Sequence, residues 1–196
     1  MPAMFLLRRP TPERIEAALA AGRRSGLSYA PIGISRPGAS ALPGYQLDVH
    51  RVSLGTGDAC WEAAREAVRD WRMFALGWAE VLPRRAPVEE GTHVAVVASH
   101  LGFWSVHVAR VVFRIEEEDR FGFAYGTTLE HAERGEEIFQ VERDPATGEV
   151  SYALRAVSRP RSLLARLGYP YTRHAQARFR KDSGRAMQKA CSKPRI

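Results

Sequence analysis

Apolar positions along this chain change their spacing twice. At Trp61, Ala64, Val68, Trp71 and Ala75 they recur every three or four residues, while Glu62, Arg65, Glu66, Arg69 and Arg72 occupy the opposite side. That spacing predicts a helix with one dry face, capped by residues 55–58 and running to about residue 75. From Trp78 to Val157 the period falls to two. Turn residues at 83–87, 89–91, 102, 116–119, 134–135 and 144–148 cut the stretch into about six strands. Helical spacing then returns. A helix is expected to start at 160–167, to be interrupted at Gly168 and Pro170, and to continue over 171–190, with Leu167, Tyr171, Ala175, Phe179, Ser183 and Met187 as its apolar stripe and Arg166, Arg173, Arg180, Lys181 and Arg185 largely off it, on a basic solvent face.

The first part of the chain is less regular. Thr11, Pro12 and Glu13 make a good helix opening, with a capping hydroxyl, a proline at the first position and a carboxylate at the positive end of the dipole. That helix should end near Gly22. Residues 22–44 carry eight glycines and prolines and are expected to form an irregular arm. Residues 45–54 form a strand in which the apolar phase moves from Tyr45, Leu47 and Val49 to Val52 and Leu54, which predicts a bulge near Arg51.

The segment 103–115 carries most of the architectural information. Thirteen residues at about 3.3 Å each would span roughly 43 Å, more than twice the usual strand length, so the strand must bend or bulge. Phe103, Ser105, His107, Ala109, Val111, Phe113 and Ile115 share the face expected to point inward, with Arg110 and Arg114 on the other. The expected fold is α+β, a curved antiparallel sheet of about seven strands wrapped on a long C-terminal helix. Residues 1–44 add a short helix and the arm to the same domain, 45–190 form its body, and 191–196 are a flexible tail.

Composition adds bounds. A chain of 196 residues with 45% hydrophobic content fits one domain, which should bury roughly 70% of its unfolded surface. No stretch reaches the 18 or more apolar residues of a spanning helix, and residues 1–10 show no cleavage site, so a cytoplasmic location is expected. Cys60 and Cys191 have no neighbours at ligand spacing and read as free thiols. Charge is uneven. Residues 155–196 hold 12 Lys and Arg against one acid, Asp182, a net +11, whereas residues 1–154 are net −4. Of the 29 basic residues 26 are Arg, which a GC-rich genome produces as readily as phosphate binding does.

Several motifs occur in one order: Trp71-Arg72-Met73, Gly77-Trp78, Gly102-x-Trp104, the run from Phe121 to Thr127, Glu130-His131, Gly135-Glu136-Glu137-x-Phe139-x-Val141-Glu142, Ser158-Arg159-Pro160, Leu167-Gly168-Tyr169-Pro170, and Gln176-x-x-Phe179. Over roughly residues 27–187 the chain resembles the family of the domain of unknown function 1990. One departure is Glu130-His131, where that family is expected to have glycine before the histidine. The element order is also similar to the helix-grip arrangement of the START and Bet v 1-like superfamily, which implies an apolar cavity between sheet and helix and names no reaction.

Candidate chemistry follows from these expectations. None of the six histidines sits at a known ligand spacing, so no metal and no cofactor is expected. His107, on the inward face, either lines a cavity or is an ordinary buried imidazole with its hydrogen bonds met. Glu136 and Glu137 are adjacent on a strand, so only one can face a cavity and act as a base; a solvated turn carboxylate is the plainer alternative. Trp104, Tyr125 and Tyr152 can stack on a flat ligand or simply fill the core. His131, in a loop, can gate a mouth. Arg159 and Arg161 flank an expected helix start and form a candidate anion site.

No phosphate-binding loop, dinucleotide fingerprint or nucleophile elbow is present. The leading expectation is a protein that binds a small, largely apolar ligand, lined by His100, Trp104, His107, Tyr125 and Tyr152, with His131, Glu136 and Glu137 at the mouth. The alternatives are nucleic-acid or anionic-partner binding through the basic C-terminal helix, and an enzyme of cyclase or hydrolase type in the same cavity.

Overall fold

The computed structural model of the chain describes residues 4–40, 42–161 and 169–192. Its elements are β1 (Met4–Leu6), α1 (Pro12–Arg24), β2 (Gln46–Thr56), α2 (Gly57–Arg69), a 3-10 turn (Arg72–Phe74), β3 (Ala79–Leu82), β4 (His93–His100), β5 (Phe103–Glu116), β6 (Arg120–Thr127), β7 (Glu133–Arg143), β8 (Glu149–Pro160) and α3 (Tyr169–Cys191). Every pairing is antiparallel, in the order β2-β8-β7-β6-β5-β4-β3, and β1 pairs with β5 outside that path. The six expected strands between residues 78 and 160 are all there. β1 lies along Trp104–Val106, beyond the point where β6 begins to pair at Ala109. Three residues carry no period, which is why this strand escapes a sequence reading.

The sheet curls around α2 and α3. On its concave face Val111, Phe123, Tyr125, Phe139, Tyr152 and Leu154 pack with Trp61, Val68, Phe74 and Met187. Phe74 sits among rings, 5.0 Å from Phe179 and 5.4 Å from Phe139, and Trp71 lies 4.5 Å from Phe123. Each such pair adds about 0.5–1.5 kcal/mol beyond the area it buries, so this end of the grip is a solid aromatic core. Phe179, Ser183 and Met187 of the anticipated helical stripe do face the sheet, with Ser183 and Met187 fully buried. Gly184 lets α3 press onto β2, since a Cβ there would come 3.1 Å from both His50 and Val52.

The long strand solves its length with a bulge. The β5–β6 register slips between Val111 and Phe113, leaving Val112 as the extra residue. His107, Ala109 and Val111 keep the inward phase, but Phe113 and Ile115 cross to the convex face, beside Ala124 and Ile138. Their expected inward placement is therefore corrected, because one inserted residue inverts every later side chain.

Three other boundaries move. The bulge expected near Arg51 lies between Ser53 and Gly55, so Leu47 and Val49 stay on the convex face, 49% and 59% exposed. α2 stops at Arg69 rather than near Ala75, because Trp71 takes φ 54° and the chain tightens into the 3-10 turn, with the Trp71 indole N–H donating to the Ala86 carbonyl at 2.8 Å. β8 continues through Pro160, opposite Glu133, where a helix start was expected. The remainder of the 160–167 prediction, with Arg166, Leu167 and Gly168, lies outside the described residues, as do 193–196 of the expected tail.

The convex face carries α1 and the arm. Ile15 and Leu19 pack on Ala95, Val97, Val106 and Val108, while Tyr29 and Ile34 pack on Val157. Glu136 organises the arm. Its buried carboxylate accepts from the Tyr29 hydroxyl (2.6 Å), the Gly33 N–H (2.9 Å), the Ser35 N–H (3.0 Å) and the Ser35 hydroxyl. Gly126 leaves room for the Tyr29 side chain, whose hydroxyl oxygen a Cβ would approach to 2.4 Å and whose ring to 2.7 Å.

Candidate functional site

Strand alternation sends Glu133 and Glu137 of β7 to the concave side and Glu136 to the convex side. The Tyr125 hydroxyl donates to Glu137 at 3.0 Å. Burial pushes the Glu137 carboxyl up to about 8, more than that hydrogen bond and nearby Arg180 pull it down. Burial likewise raises Glu133, against hydrogen bonds from Ser158 and Gln176, and lifts the Tyr125 phenol well above its usual range, with the Glu137 charge adding to it. Gly135 lies between the two acids. A Cβ there would stand 2.1 Å from the Val157 carbonyl oxygen, so only glycine admits this close strand approach.

α3 is latched across the same region by polar side chains. The Gln176 amide donates to Glu133 at 2.6 Å and accepts from Arg173 at 2.8 Å. Arg173 grips Asp48 of β2 with both terminal nitrogens, and Arg180 reaches the same carboxylate at 3.2 Å. Burial alone would raise Asp48, but these guanidinium groups hold it below the usual carboxylate range. The expectation that the basic residues of this helix form its solvent face is thus corrected: Arg173 and Arg180 turn toward the sheet. Arg178 and Arg185 pair with Asp182.

Beside the carboxyl cluster stand the histidines. The rings of His107 and His131 are 4.7 Å apart. His131 Nδ1 accepts the Glu133 backbone N–H at 3.0 Å, so neutral His131 carries its proton on Nε2. Burial takes His107 down to about 4, with His100 adding to the effect, and takes His131 well below its normal value, with His107 adding. At neutral pH this end of the grip therefore holds two uncharged imidazoles and a largely protonated Glu137. His107 Nδ1 is buried and has no hydrogen-bond partner among the described residues. His100 closes the rim, its ring 6.1 Å from Tyr171 and 5.9 Å from Trp78.

The model of the domain of unknown function DUF1990 matches residues 28–186. The chain belongs to that family. A UPF0548 protein of Deinococcus radiodurans is 36% identical across 95% of this chain and 98% of its own length. A UPF0548 protein of Dictyostelium discoideum is 36% identical across 74% of this chain and 73% of its own length. Among solved structures, hypothetical protein jhp0584 from Helicobacter pylori gives a TM-score of 0.54 at 10% identity, covering 84% of this chain and 95% of that one. At that identity the likeness speaks for a shared fold alone.

Within this family member the anticipated residues divide into two groups. His100, His107, Tyr125, His131 and Glu137 share the concave side at one end. Tyr152 is also concave, but it is fully buried in the α3 seam, where its hydroxyl meets Ser183 at 2.8 Å. Trp104 is corrected to the convex face: it packs with Val106 and Ile15 beside α1, since it is out of phase with Ser105 and His107. Glu136, expected at the mouth, is buried beneath the arm. Arg159 lies on the convex side over the Tyr45 ring at 4.8 Å, and the Arg161 guanidinium donates to the Leu129 carbonyl. The helix start that was to complete their anion site lies outside the described residues.

Sequence reasoning passed over Asp48, His50, Glu133, Arg173 and Gln176. The signal for Asp48 and His50 was their even-numbered phase with Val52, masked by the apolar Leu47 and Val49 on the exposed side. Two surface hollows, of about 520 and 210 Å³, lie elsewhere, one between the Glu117–Arg120 turn and Glu142–Pro145, the other beside Ala75 and Lys189. Among the described residues no three His, Cys, Asp or Glu side chains are placed to hold a metal, and no helix is long and apolar enough to cross a membrane.

Proposed function

We propose that this protein binds a small, largely apolar molecule with an uncharged polar head, held between the sheet and the C-terminal helix at the end formed by His107, His131, Tyr125 and Glu137. The observation that carries the reading is His107 Nδ1, buried on the concave side and without a hydrogen-bond partner among the described residues. A buried polar atom left unpaired costs about 1–3 kcal/mol, and a ligand hydrogen bond there removes that cost. The head group is uncharged because the groups around it are: neutral imidazoles and a protonated acid offer donors and acceptors but no countercharge. Arg173 and Arg180, the cations that act on Glu133 and Glu137, are committed to Asp48. The aromatic packing of Phe74, Phe139 and Phe179 confines the guest to the far end and keeps it small. The reading rests on unmet hydrogen bonding and on neither surface hollow.

Native mass spectrometry of gently purified protein tests this, paired with imidazole NMR during titration with small neutral carbonyl and hydroxyl compounds. The expected result is a retained mass, or a ligand-induced shift at His107 and His131, that disappears in His107→Phe. A bare mass in every preparation, with imidazole signals unmoved across the compound set, overturns it. Convergence of Glu133, Glu137 and two imidazoles also supports a second reading in which the same groups move protons on the bound molecule; turnover lost in Glu137→Gln while binding persists would single it out.

A further inference from the structure

Five of the eight large apolar side chains exposed among the described residues gather at one end of the molecule: Leu7 (78%), Leu101 (83%), Phe103 (47%), Leu129 (40%) and Tyr171 (41%). They come from four separate places in the chain. Leu101 forms the β4–β5 turn and Phe103 opens β5, directly opposite His100. Leu7 comes one residue after Leu6, the partner of Trp104. Leu129 sits in the β6–β7 loop, and Tyr171 in the first turn of α3 faces the His100 ring. Scattered apolar residues are ordinary on a protein surface, whereas a cluster built from several loop tips marks something that covers it.

The turn supplies a second, independent observation. Leu101 and Gly102 both have positive φ, 48° and 84°. A two-residue hairpin turn of this kind favours asparagine followed by glycine, because a leucine in the left-handed region meets its own backbone. Leu101 is thus strained and almost entirely in water, and it adds nothing to folding. Exposed Arg8 follows Leu7 in the chain, and exposed Arg161 donates to the Leu129 carbonyl, so both cations lie beside members of the cluster.

We infer that this end of the protein docks on an anionic lipid bilayer, with Leu101 and Phe103 entering the apolar layer and Arg8 and Arg161 meeting the headgroups. A protruding tip suits a soft surface. A second copy of the chain would instead need a flatter, self-complementary patch of about 800 Å² on each partner. The mode is that of an interfacial protein, in which modest apolar insertion and basic charge act together, so both should be required.

Co-sedimentation with vesicles tests the proposal, using phosphatidylcholine alone and phosphatidylcholine mixed with phosphatidylserine. The informative variant is Leu101→Asn, which removes the inserting side chain and relieves the strained φ, so its thermal stability should equal or exceed that of the parent. Expected is binding to the mixed vesicles that weakens with salt and falls about tenfold or more in Leu101→Asn. Binding to neither vesicle type overturns the proposal, as does undiminished binding by the well-folded Leu101→Asn. Concentration-dependent dimerisation abolished by the same substitution also overturns it, in favour of a second copy. None of these outcomes bears on whether the interior holds a ligand.

Discussion

Glu137→Gln offers a sharp test of the site, because it removes one titration and leaves the shape and the acceptor for Tyr125 in place. In the unfolded chain this carboxyl titrates near 4.5, and in the folded protein burial moves it to about 8. Between those values the folded state holds the proton more tightly than the unfolded state does. Stability must therefore fall as pH rises through that window, and the contribution is flat below 4.5 and above about 8. Each pH unit is worth about 1.4 kcal/mol, so a window of about 3.5 units amounts to at most roughly 5 kcal/mol, and the partial exposure of Glu137 to water lowers that figure.

The imidazoles act from the other side. His107 is moved from 6.5 to about 4, so the folded state holds that proton less tightly, and stability falls as pH drops from 6.5 through 4. His131, also lowered, adds to the acid limb. For these groups together, maximum stability lies near pH 6.5. Urea unfolding of parent and Glu137→Gln from about pH 5 to about pH 9 reads the effect directly. The variant should lose the alkaline limb, becoming more stable than the parent by a few kcal/mol at the upper end, while the acid limb remains. Two stability curves that run parallel across the range would refute the reasoning, because the carboxyl would then be titrating as it does in water.

Two further substitutions test the convex side. Glu136→Ala removes the acceptor of four donors from Tyr29, Gly33 and Ser35; a loss of about 3–5 kcal/mol in urea unfolding is expected, with faster tryptic cleavage at Arg36 as the arm detaches. Gly126→Ala places a methyl 2.4 Å from the Tyr29 hydroxyl oxygen, and should lower stability by about 1–3 kcal/mol. Combined with Tyr29→Ala, its effect should be markedly less than additive, which a double-mutant cycle in urea measures.

Local pattern carried the gross architecture. The period of two from Trp78 to Val157, the stripe ending in Phe179, Ser183 and Met187, and the excessive length of the strand bearing His107 were enough to predict a curled sheet on a C-terminal helix. They sufficed because alternation and helical spacing record directly which side of an element must be dry. His107 on the concave face was readable for the same reason, as was the rule that Glu136 and Glu137 point opposite ways.

What the pattern could not carry was anything decided by a single inserted residue or by distant partners. The extra Val112 turns Phe113 and Ile115 outward, and nothing in their own character announces it. Which of the two adjacent glutamates faces the helix depends on where the arm lies, and Glu136 went to the arm because Tyr29, Gly33 and Ser35, a hundred residues earlier, bring their donors to it. Arg173 and Arg180 looked like solvated cations until Asp48 arrived from β2 to meet them. Periodicity is a property of neighbours along the chain. Charge pairing, proton affinity and unmet hydrogen bonds belong to neighbours in space, and only the folded sheet determines who those are.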